Sequence, residues 1–278
     1  MEKLSLCRAT NDLEQRGKSM GSIYDSPDIY DLLEDANIYL AYKRHWEHLF
    51  KGKNIKSMLD ISIGSGSVTL PVLDLNITLS GSDLSENMLK KCSKKISDKG
   101  FEPDLKVTDF RDLSCWGDQR FDVVASTGNA IAYVSNDDVD LVIEQMDSHV
   151  SDNGYIYIDT RNWDKILKDK NRFYLYNPFF VNGERVNFIQ VWDYNTDGSM
   201  TFNLLYTFEK NNKIYRKEKF EEHYYPVSKD LLINRLKELG YSDIQVLCFP
   251  SYFPMKNSDE TEWYTILAKK NMRRAVAQ

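Results

Sequence analysis

The stretch Ser57-Met58-Leu59-Asp60-Ile61-Ser62-Ile63-Gly64-Ser65-Gly66-Ser67-Val68-Thr69-Leu70 constrains the fold more than any other part of the chain. It reads as a buried strand, a glycine turn and the first turn of a helix in immediate succession, the unit from which doubly wound sheets are built. Glycine at 64 and 66 admits positive φ and removes the Cβ that holds a ligand away from the main chain. A Gly-x-Gly alone also fits an ordinary strand-to-helix turn. The second strand, Ile77-Thr78-Leu79-Ser80-Gly81-Ser82-Asp83, narrows the reading. It ends in an acid about 20 residues after the first glycine, where such a sheet sets a carboxylate on ribose hydroxyls. The expected ligand is an adenosine-type nucleoside.

Charge separates the nucleoside cofactors. A dinucleotide site carries a third glycine so that the helix N-terminus meets a pyrophosphate, but that position here is Thr69, and Asp60 precedes the loop. A carboxylate there repels phosphate and suits a cationic amino group. S-adenosylmethionine is the common cofactor of that description.

The pattern of short apolar strands alternating with helices continues along the chain. Strands are expected at about 55–61, 77–83, 104–108, 121–126 and 155–159. Helices are expected from about 67, from Ser85 to Lys99-Gly100 with Met88, Leu89, Cys92 and Ile96 on one face, and over about 137–149. Ahead of them, Ile23 to Gly52 reads as an aromatic-rich helical stretch that caps the cofactor side. From Arg161 to about Pro226 the period changes to two, with turns at Asp197-Gly198 and Asn211-Asn212, which indicates an inserted antiparallel sheet. A helix at about 228–239, a strand at 243–249 and a last strand at 262–269 then return to the core, the last lying antiparallel on the edge. The fold class is therefore α/β: a Rossmann-like, seven-stranded, mostly parallel sheet with helices on both faces and an inserted antiparallel β-sheet lid. The chain divides into an N-terminal arm (1–22), the first part of the cofactor-binding core (23–160), the lid over the acceptor site (161–226), the return of the core sheet (227–270) and a C-terminal tail (271–278).

A formal net charge of −6 argues against a nucleic-acid backbone as partner, since that binding rests on clustered Lys and Arg. Lys90, Lys91, Lys94 and Lys95 do cluster, on what reads as a solvated helix face. Cys7, Cys92, Cys115 and Cys248 are scattered with no Cys-x-x-Cys pair, so neither a metal site nor a disulfide framework is indicated. No apolar run reaches the roughly 18 residues that span a bilayer. The expectation is a cytoplasmic protein with a small-molecule partner, no membrane and no metal, with a homo-oligomer left open as its assembly.

Taken together, these residues resemble the class I S-adenosylmethionine-dependent methyltransferases, and more narrowly the glycine and sarcosine N-methyltransferase family. The resemblance runs from about Tyr24 to Lys269. Its general features are Asp60 to Gly66, Asp83-Leu84-Ser85 with Met88-Leu89, and Asp109. Its more specific features are Gly128-Asn129, Asp159-Thr160-Arg161-Asn162-Trp163-Asp164, Phe220 through Tyr224-Tyr225-Pro226, and Tyr252. The resemblance implies that Asp60, Gly64, Gly66, Asp83, Leu84, Met88, Asp109, Phe110 and Thr127 line the cofactor. It also implies that Arg161 and Asn129 hold the acceptor's carboxylate and amine, and that Tyr24, Tyr225 and Tyr252 line the acceptor pocket. The chain departs from the family at Tyr133, where the glycine enzymes tend to carry histidine, near Ile38, where an arginine is missing, and near Lys18, where the animal enzymes carry a glutamate.

Methyl transfer is an in-line displacement that needs alignment and a neutral amine more than a strong acid, and alignment supplies about 7–11 kcal/mol in favourable cases. No Ser-His-Asp set is expected, and the histidines at 45, 48, 149 and 223 read as structural or surface residues. Other small acceptors, an amine, a hydroxyl or a carbon acid, fit the same fold, and a non-catalytic nucleoside-binding protein fits the glycines and Asp83 but not Arg161 and the tyrosines.

Overall fold

The computed structural model describes residues 21–253, 257 and 259–271. The arm expected at 1–22, with Cys7 and Lys18, and the tail expected at 271–278 fall almost wholly outside these residues.

Seven strands form the main sheet: β1 (Ser57–Asp60), β2 (Thr78–Asp83), β3 (Asp104–Val107), β4 (Phe121–Ser126), β5 (Val150–Arg161), β11 (Tyr241–Cys248) and β12 (Trp263–Lys270). Their order is β11-β12-β5-β4-β1-β2-β3, with β1 to β5 mutually parallel and β12 antiparallel to both neighbours. The chain runs outward from β1 through β2 and β3, then returns to pair β4 on the other side of β1. The loops after β1 and β4 therefore part at their carboxyl ends and leave the crevice in which open α/β sheets bind ligands.

Helices α2 (Ala36–Phe50) and α3 (Glu86–Asp98) cover one face of the sheet, and α4 (Asn136–His149) and α6 (Lys229–Glu238) cover the other. The expected cap of α3 is present: the Ser85 hydroxyl accepts the Met88 N–H, and Met88, Leu89, Cys92 and Ile96 are buried. The aromatic-rich stretch before β1 is not one helix. Pro27 opens α1 (Pro27–Tyr30), 3-10 turns occupy Ile23–Asp25 and Asp31–Leu33, and α2 starts afresh where Asp35 accepts the Ile38 N–H.

Three further expectations are corrected. No α-helix follows the glycine turn: residues Leu70–Leu75 form a 3-10 helix whose Leu70, Pro71, Val72 and Leu73 are all buried. Such a segment has no polar face to lay along a longer helix, Pro71 lacks an N–H, and Asn76 ends it at φ 59°. Asp152-Asn153-Gly154 does not precede strand five but bulges within it, since Phe121 pairs with Val150 and Val123 with Tyr155. The last strand is not at the edge. In β12 the run Tyr264 to Ala268 is completely buried, whereas β11 is half-exposed along most of its length, so the apolar strand takes the inner place.

The insertion is an antiparallel sheet of β6 (Phe173–Leu175), β7 (Phe179–Val181), β8 (Glu184–Tyr194), β9 (Met200–Lys210) and β10 (Lys213–Tyr224). It is preceded by a short helix, α5 (Trp163–Asp169), that periodicity did not reveal. The Asn211-Asn212 turn has both residues at positive φ, as a two-residue hairpin of type I′ requires. Its inner face (Phe188, Trp192, Phe202, Tyr206, Phe220 and Tyr224) joins the core that runs under α4. No helix of the described residues is long and apolar enough to cross a membrane.

Ser85 joins two parts of this architecture, capping α3 and donating its hydroxyl to the Tyr24 carbonyl at 3.1 Å. Ser85→Ala is expected to cost about 1 kcal/mol, the usual worth of an N-cap. Urea unfolding of the two proteins measures it; an unchanged midpoint would mean that the cap carries no net stability.

Candidate active site

The crevice is built by carboxylates that stand at strand ends and are fastened by neighbouring backbone. Asp83, at the end of β2, accepts the Gly64 N–H on Oδ2 at 2.9 Å and the Ser85 N–H on Oδ1 at 2.8 Å. Each oxygen keeps a lone pair, so the carboxylate offers two further acceptors at the spacing of a vicinal diol. Burial raises its pKa while these backbone donors oppose the shift. Gly64 is at φ 54°, and a Cβ added there meets only the Met88 Cε, at 3.4 Å. The site thus has both elements of a nucleoside cradle, a paired acceptor and a side-chain-free approach, and the residues fit S-adenosylmethionine.

The other residues expected at the cofactor have distinct positions. Gly66 is buried, and its missing side chain makes room for Leu70 and Cys92, which a Cβ would meet at 2.7 to 3.0 Å. Met88 lies completely buried under the turn, and Leu84, directly after Asp83, exposes 56% of its surface. Asp60 is buried at the switch point, its oxygens held by the Thr127 hydroxyl (2.7 Å) and the Ser62 N–H (3.1 Å), so it ties the loops after β1 and β4 together. Asp109 is clasped by the Arg111 guanidinium, which with the Arg111 N–H holds its pKa below the ordinary value, and Phe110 beside it packs on the core.

On the other side of the crevice the loop after β4 is locked. Asn129 has φ 66° and is 2% exposed. Its Oδ1 accepts the Thr160 hydroxyl (2.8 Å), the Arg161 N–H (3.1 Å) and the Trp163 indole N–H (3.1 Å). Those donors fix the orientation of the amide, and Nδ2 is left buried without a partner among the described residues. Arg161 ends β5 with its guanidinium over the rings of Trp263, Phe202 and Trp192, 5.0, 5.4 and 5.6 Å from their centres. No carboxylate lies within ion-pair distance of it among the described residues; Asp159 and Asp164, its neighbours in sequence, are bound elsewhere.

Asp159 is the hub beneath that loop. It accepts the Gly128 N–H (2.9 Å), the Trp263 indole N–H (3.0 Å) and the Tyr157 hydroxyl (3.0 Å). Tyr157 in turn meets His45 Nε2 at 2.9 Å. Because the Ser251 N–H donates to His45 Nδ1, Nε2 carries the imidazole hydrogen, and burial pushes the ring pKa down to about 3. His45 is thus a neutral, structural histidine. His48 and His149 are likewise tied to Ser251 and to the Gln119 carbonyl, and His223 packs edge-on against Tyr225.

The structure gathers the expected tyrosines only in part. Tyr24 reaches Tyr133 (Oη to Oη 2.8 Å), and Tyr133 reaches Tyr224 (2.7 Å) and Glu222 (3.1 Å). Tyr225 does not join them: strand alternation turns Tyr224 inward, and Tyr225 packs edge-on against His223. Tyr252 pairs with Phe253 on the 249–253 turn. The sequence reading gives no site role to Glu222 or to Tyr224, which it names only within the run from Phe220 to Pro226, although Phe220, Glu222 and Tyr224 share one strand face at a period of two. Among the described residues no three His, Cys, Asp or Glu side chains gather in a way that could hold a metal ion.

With this geometry in hand the chain can be compared with known proteins. Residues 58–154 match the methyltransferase domain family. Over 222 residues, 80% of this chain and 78% of the relative, it is 24% identical to glycine/sarcosine N-methyltransferase from Aphanothece halophytica. Its fold is similar to that of an S-adenosylmethionine-dependent methyltransferase from Clostridium acetobutylicum (TM-score 0.70, 19% identity, covering 89% of this chain and 98% of that one). It is similar as well to DesVI from Streptomyces venezuelae (0.69, 16%, 88% and 98%) and to the sugar N-methyltransferase KedS8 from Streptoalloteichus (0.66, 16%, 95% and 99%). At these identities the structures speak for the fold alone.

Burial raises the pKa of Asp159, like that of Asp60, from 3.8 to about 7. A folded-state pKa above the unfolded one means stability that is full below about 3.8 and is lost as pH rises through about 7. Urea unfolding of wild type and Asp159→Asn between about pH 5 and pH 8 is expected to show the wild type losing ground to the variant with rising pH. A difference independent of pH would mean that Asp159 is ionised in the fold throughout.

Proposed function

We propose that this chain, which carries the methyltransferase domain on a class I S-adenosylmethionine-dependent methyltransferase fold, methylates the amine of glycine, sarcosine or a similar small amino acid. The observation that carries the acceptor is the pair of unspent donors at the end of β5. Among the described residues the Arg161 guanidinium sits in an aromatic box without a carboxylate, and the Asn129 Nδ2 beside it is buried and unpaired. A guanidinium presents parallel N–H donors that match a carboxylate, and Nδ2 adds a third donor from the loop after β4. Because the Asn129 oxygen is already spent, Asn129 serves the acceptor's carboxylate and leaves the amine to the tyrosines.

The cofactor, when bound, supplies an electrophilic methyl group on a sulfonium. The residues of the chain do the rest by position. Asp83 takes the ribose hydroxyls, Gly64 lets the main chain approach, and Leu84 and Phe110 offer apolar surface to the adenine. The insertion of about 161–226 acts as a lid: Trp192 and Phe202 on its inner face already lie against Arg161, at the crevice where ligands of parallel sheets bind. Tyr24 and Tyr224 present oxygens to an amine and electron-rich faces to a cation.

Asp83→Ala is expected to weaken S-adenosylmethionine binding by about 2 kcal/mol, the scale of hydrogen bonds to a charged group. Calorimetry reads it, and an unchanged affinity would remove Asp83 from the site. Arg161→Lys is expected to lower kcat/KM for the amino acid by about tenfold or more while cofactor affinity stays constant, because an ammonium does not reproduce the forked contact. The test begins with a screen of amino acids, amines and hydroxyl acceptors for methyl transfer. Unchanged kcat/KM in both Arg161→Lys and Arg161→Ala would mean a neutral or purely cationic acceptor.

A further inference from the structure

In the cluster that links the N-terminal segment to the lid, one phenol makes more contacts than its single hydrogen can serve. Tyr133 Oη lies 2.8 Å from Tyr24 Oη, 2.7 Å from Tyr224 Oη and 3.1 Å from Glu222 Oε2, and a phenol has a single hydrogen to give. That hydrogen is contested between Glu222 and Tyr224. Glu222 is 5% exposed and is held on its other oxygen by the Ser22 hydroxyl (2.8 Å) and the Ile23 N–H (2.9 Å). Donors therefore meet this carboxylate from three sides, and no cation is paired with it among the described residues.

The chain of oxygens leads from Glu222 toward the crevice. Tyr24 follows Ile23 directly, its carbonyl accepts the Ser85 hydroxyl next to Asp83, and its ring packs on Tyr30, whose hydroxyl lies beside Gly128. Tyr224 packs on Phe202 and Trp163, and Phe202 is one of the rings beneath the Arg161 guanidinium. The cluster is thus flanked by the cofactor acid on one side and the carboxylate clamp on the other, where the amine of an acceptor held by Arg161 would lie.

We propose that Tyr24, Tyr133 and Glu222 form a proton relay that delivers the acceptor amine in its neutral, nucleophilic form. This inference rests on the amine reading above. An amino acid arrives as an ammonium, which has no lone pair to attack a methyl group. In the relay an N–H bond of the ammonium breaks and its proton forms an O–H bond on Tyr24. The hydrogen of Tyr24 passes to Tyr133, and that of Tyr133 passes to Glu222 Oε2. Both phenols end neutral, the amine gains its lone pair, and the carboxylate becomes a carboxylic acid, so proton and charge balance. The acid then returns its proton to solvent past the half-buried Ser22. Burial and the nearby Asp25 raise the pKa of Glu222, while the donors from Ile23, Ser22 and Tyr133 oppose the shift. A carboxylate that is easier to protonate is a better terminus for the relay. Of the other titratable groups around it, Tyr24, Tyr133 and Tyr224 are all held neutral by burial, with Arg161 acting against the shift at Tyr224.

Glu222 and Tyr133 reach the acceptor only through Tyr24, so they are positioning residues, and a pH profile separates this role from a merely structural one. Glu222→Gln keeps the shape and the bond to Ser22 but removes the proton acceptor. Tyr133→Phe keeps the ring packing against Tyr24 and Tyr224 and breaks the relay in its middle. With glycine as the amine probe, each variant is expected to lower kcat/KM at neutral pH by about a hundredfold, the lower range of general acid–base effects. The deficit is expected to close as pH approaches the pKa of glycine's own amine, where solution supplies the neutral form, and cofactor affinity by calorimetry is expected to be unchanged. A deficit constant across pH, or none, in a wild-type enzyme that methylates glycine or another amine from the screen would overturn the relay alone. A wild-type enzyme that methylates only hydroxyl or carbon acceptors would overturn the amine reading and the relay with it.

Discussion

The crevice is organised by the buried carboxylate of Asp159. It takes hydrogen bonds from Gly128, Trp263 and Tyr157 and through Tyr157 reaches His45 of α2, which in turn holds Ser251. Two distant stretches, at Gly128 and Trp263, thus meet directly on this completely buried side chain, and its strand neighbour Tyr157 extends the network to His45 and Ser251. A carboxylate in such surroundings is tolerable only when its lone pairs are met, because an unpaired buried charge costs several kcal/mol. The same bonds that stabilise Asp159 therefore fix the αL turn at Gly128-Asn129, and that turn aims the free Nδ2 of Asn129. The geometry of that loop is in this sense a by-product of satisfying one buried acid.

Four acids stand around the crevice, and the donors each one meets assign them different work. Asp60 and Asp159 are consumed by protein donors and act as struts between loops. Asp83 is met by backbone N–H groups that leave lone pairs on both oxygens, which suits a diol. Glu222 meets hydroxyls whose hydrogens can be redistributed. The side-chain chemistry is the same in all four, and the number and kind of donors decides which lone pairs the fold consumes and which it leaves open.

The segment before α2 is fastened across the crevice at both ends. Asp31 pairs with Lys91 and Lys95 of α3 and accepts the Ser65 hydroxyl from the glycine turn, while Ser22 and Ile23 hold Glu222 in the inserted sheet. The lysine cluster that reads as a solvated helix face is thus split: Lys90 and Lys94 make i,i+4 pairs on the surface, whereas Lys91 and Lys95 anchor this segment. Surface pairs of the first kind are worth little, and the second kind fixes the position of Tyr24 and Tyr30.

What the sequence determined by itself was the order of elements and the place of the glycine turn, because strand and helix periodicities, caps such as Ser85 and the spacing from Gly64 to Asp83 are local properties of the chain. It also marked Arg161 and Asn129, but as members of a resemblance and not as a geometry. Whether β12 lies inside or at the edge, whether Gly66 faces ligand or Leu70, and which of the adjacent Tyr224 and Tyr225 turns inward depended on packing between distant segments. The partnering of Glu222 with Ser22 and Tyr133, 200 and 89 residues away, has no local signature at all. Only the tertiary structure decided these, since a side chain's donors and burial are set by whichever elements close over it, and those contacts are not written in the spacing of neighbouring residues.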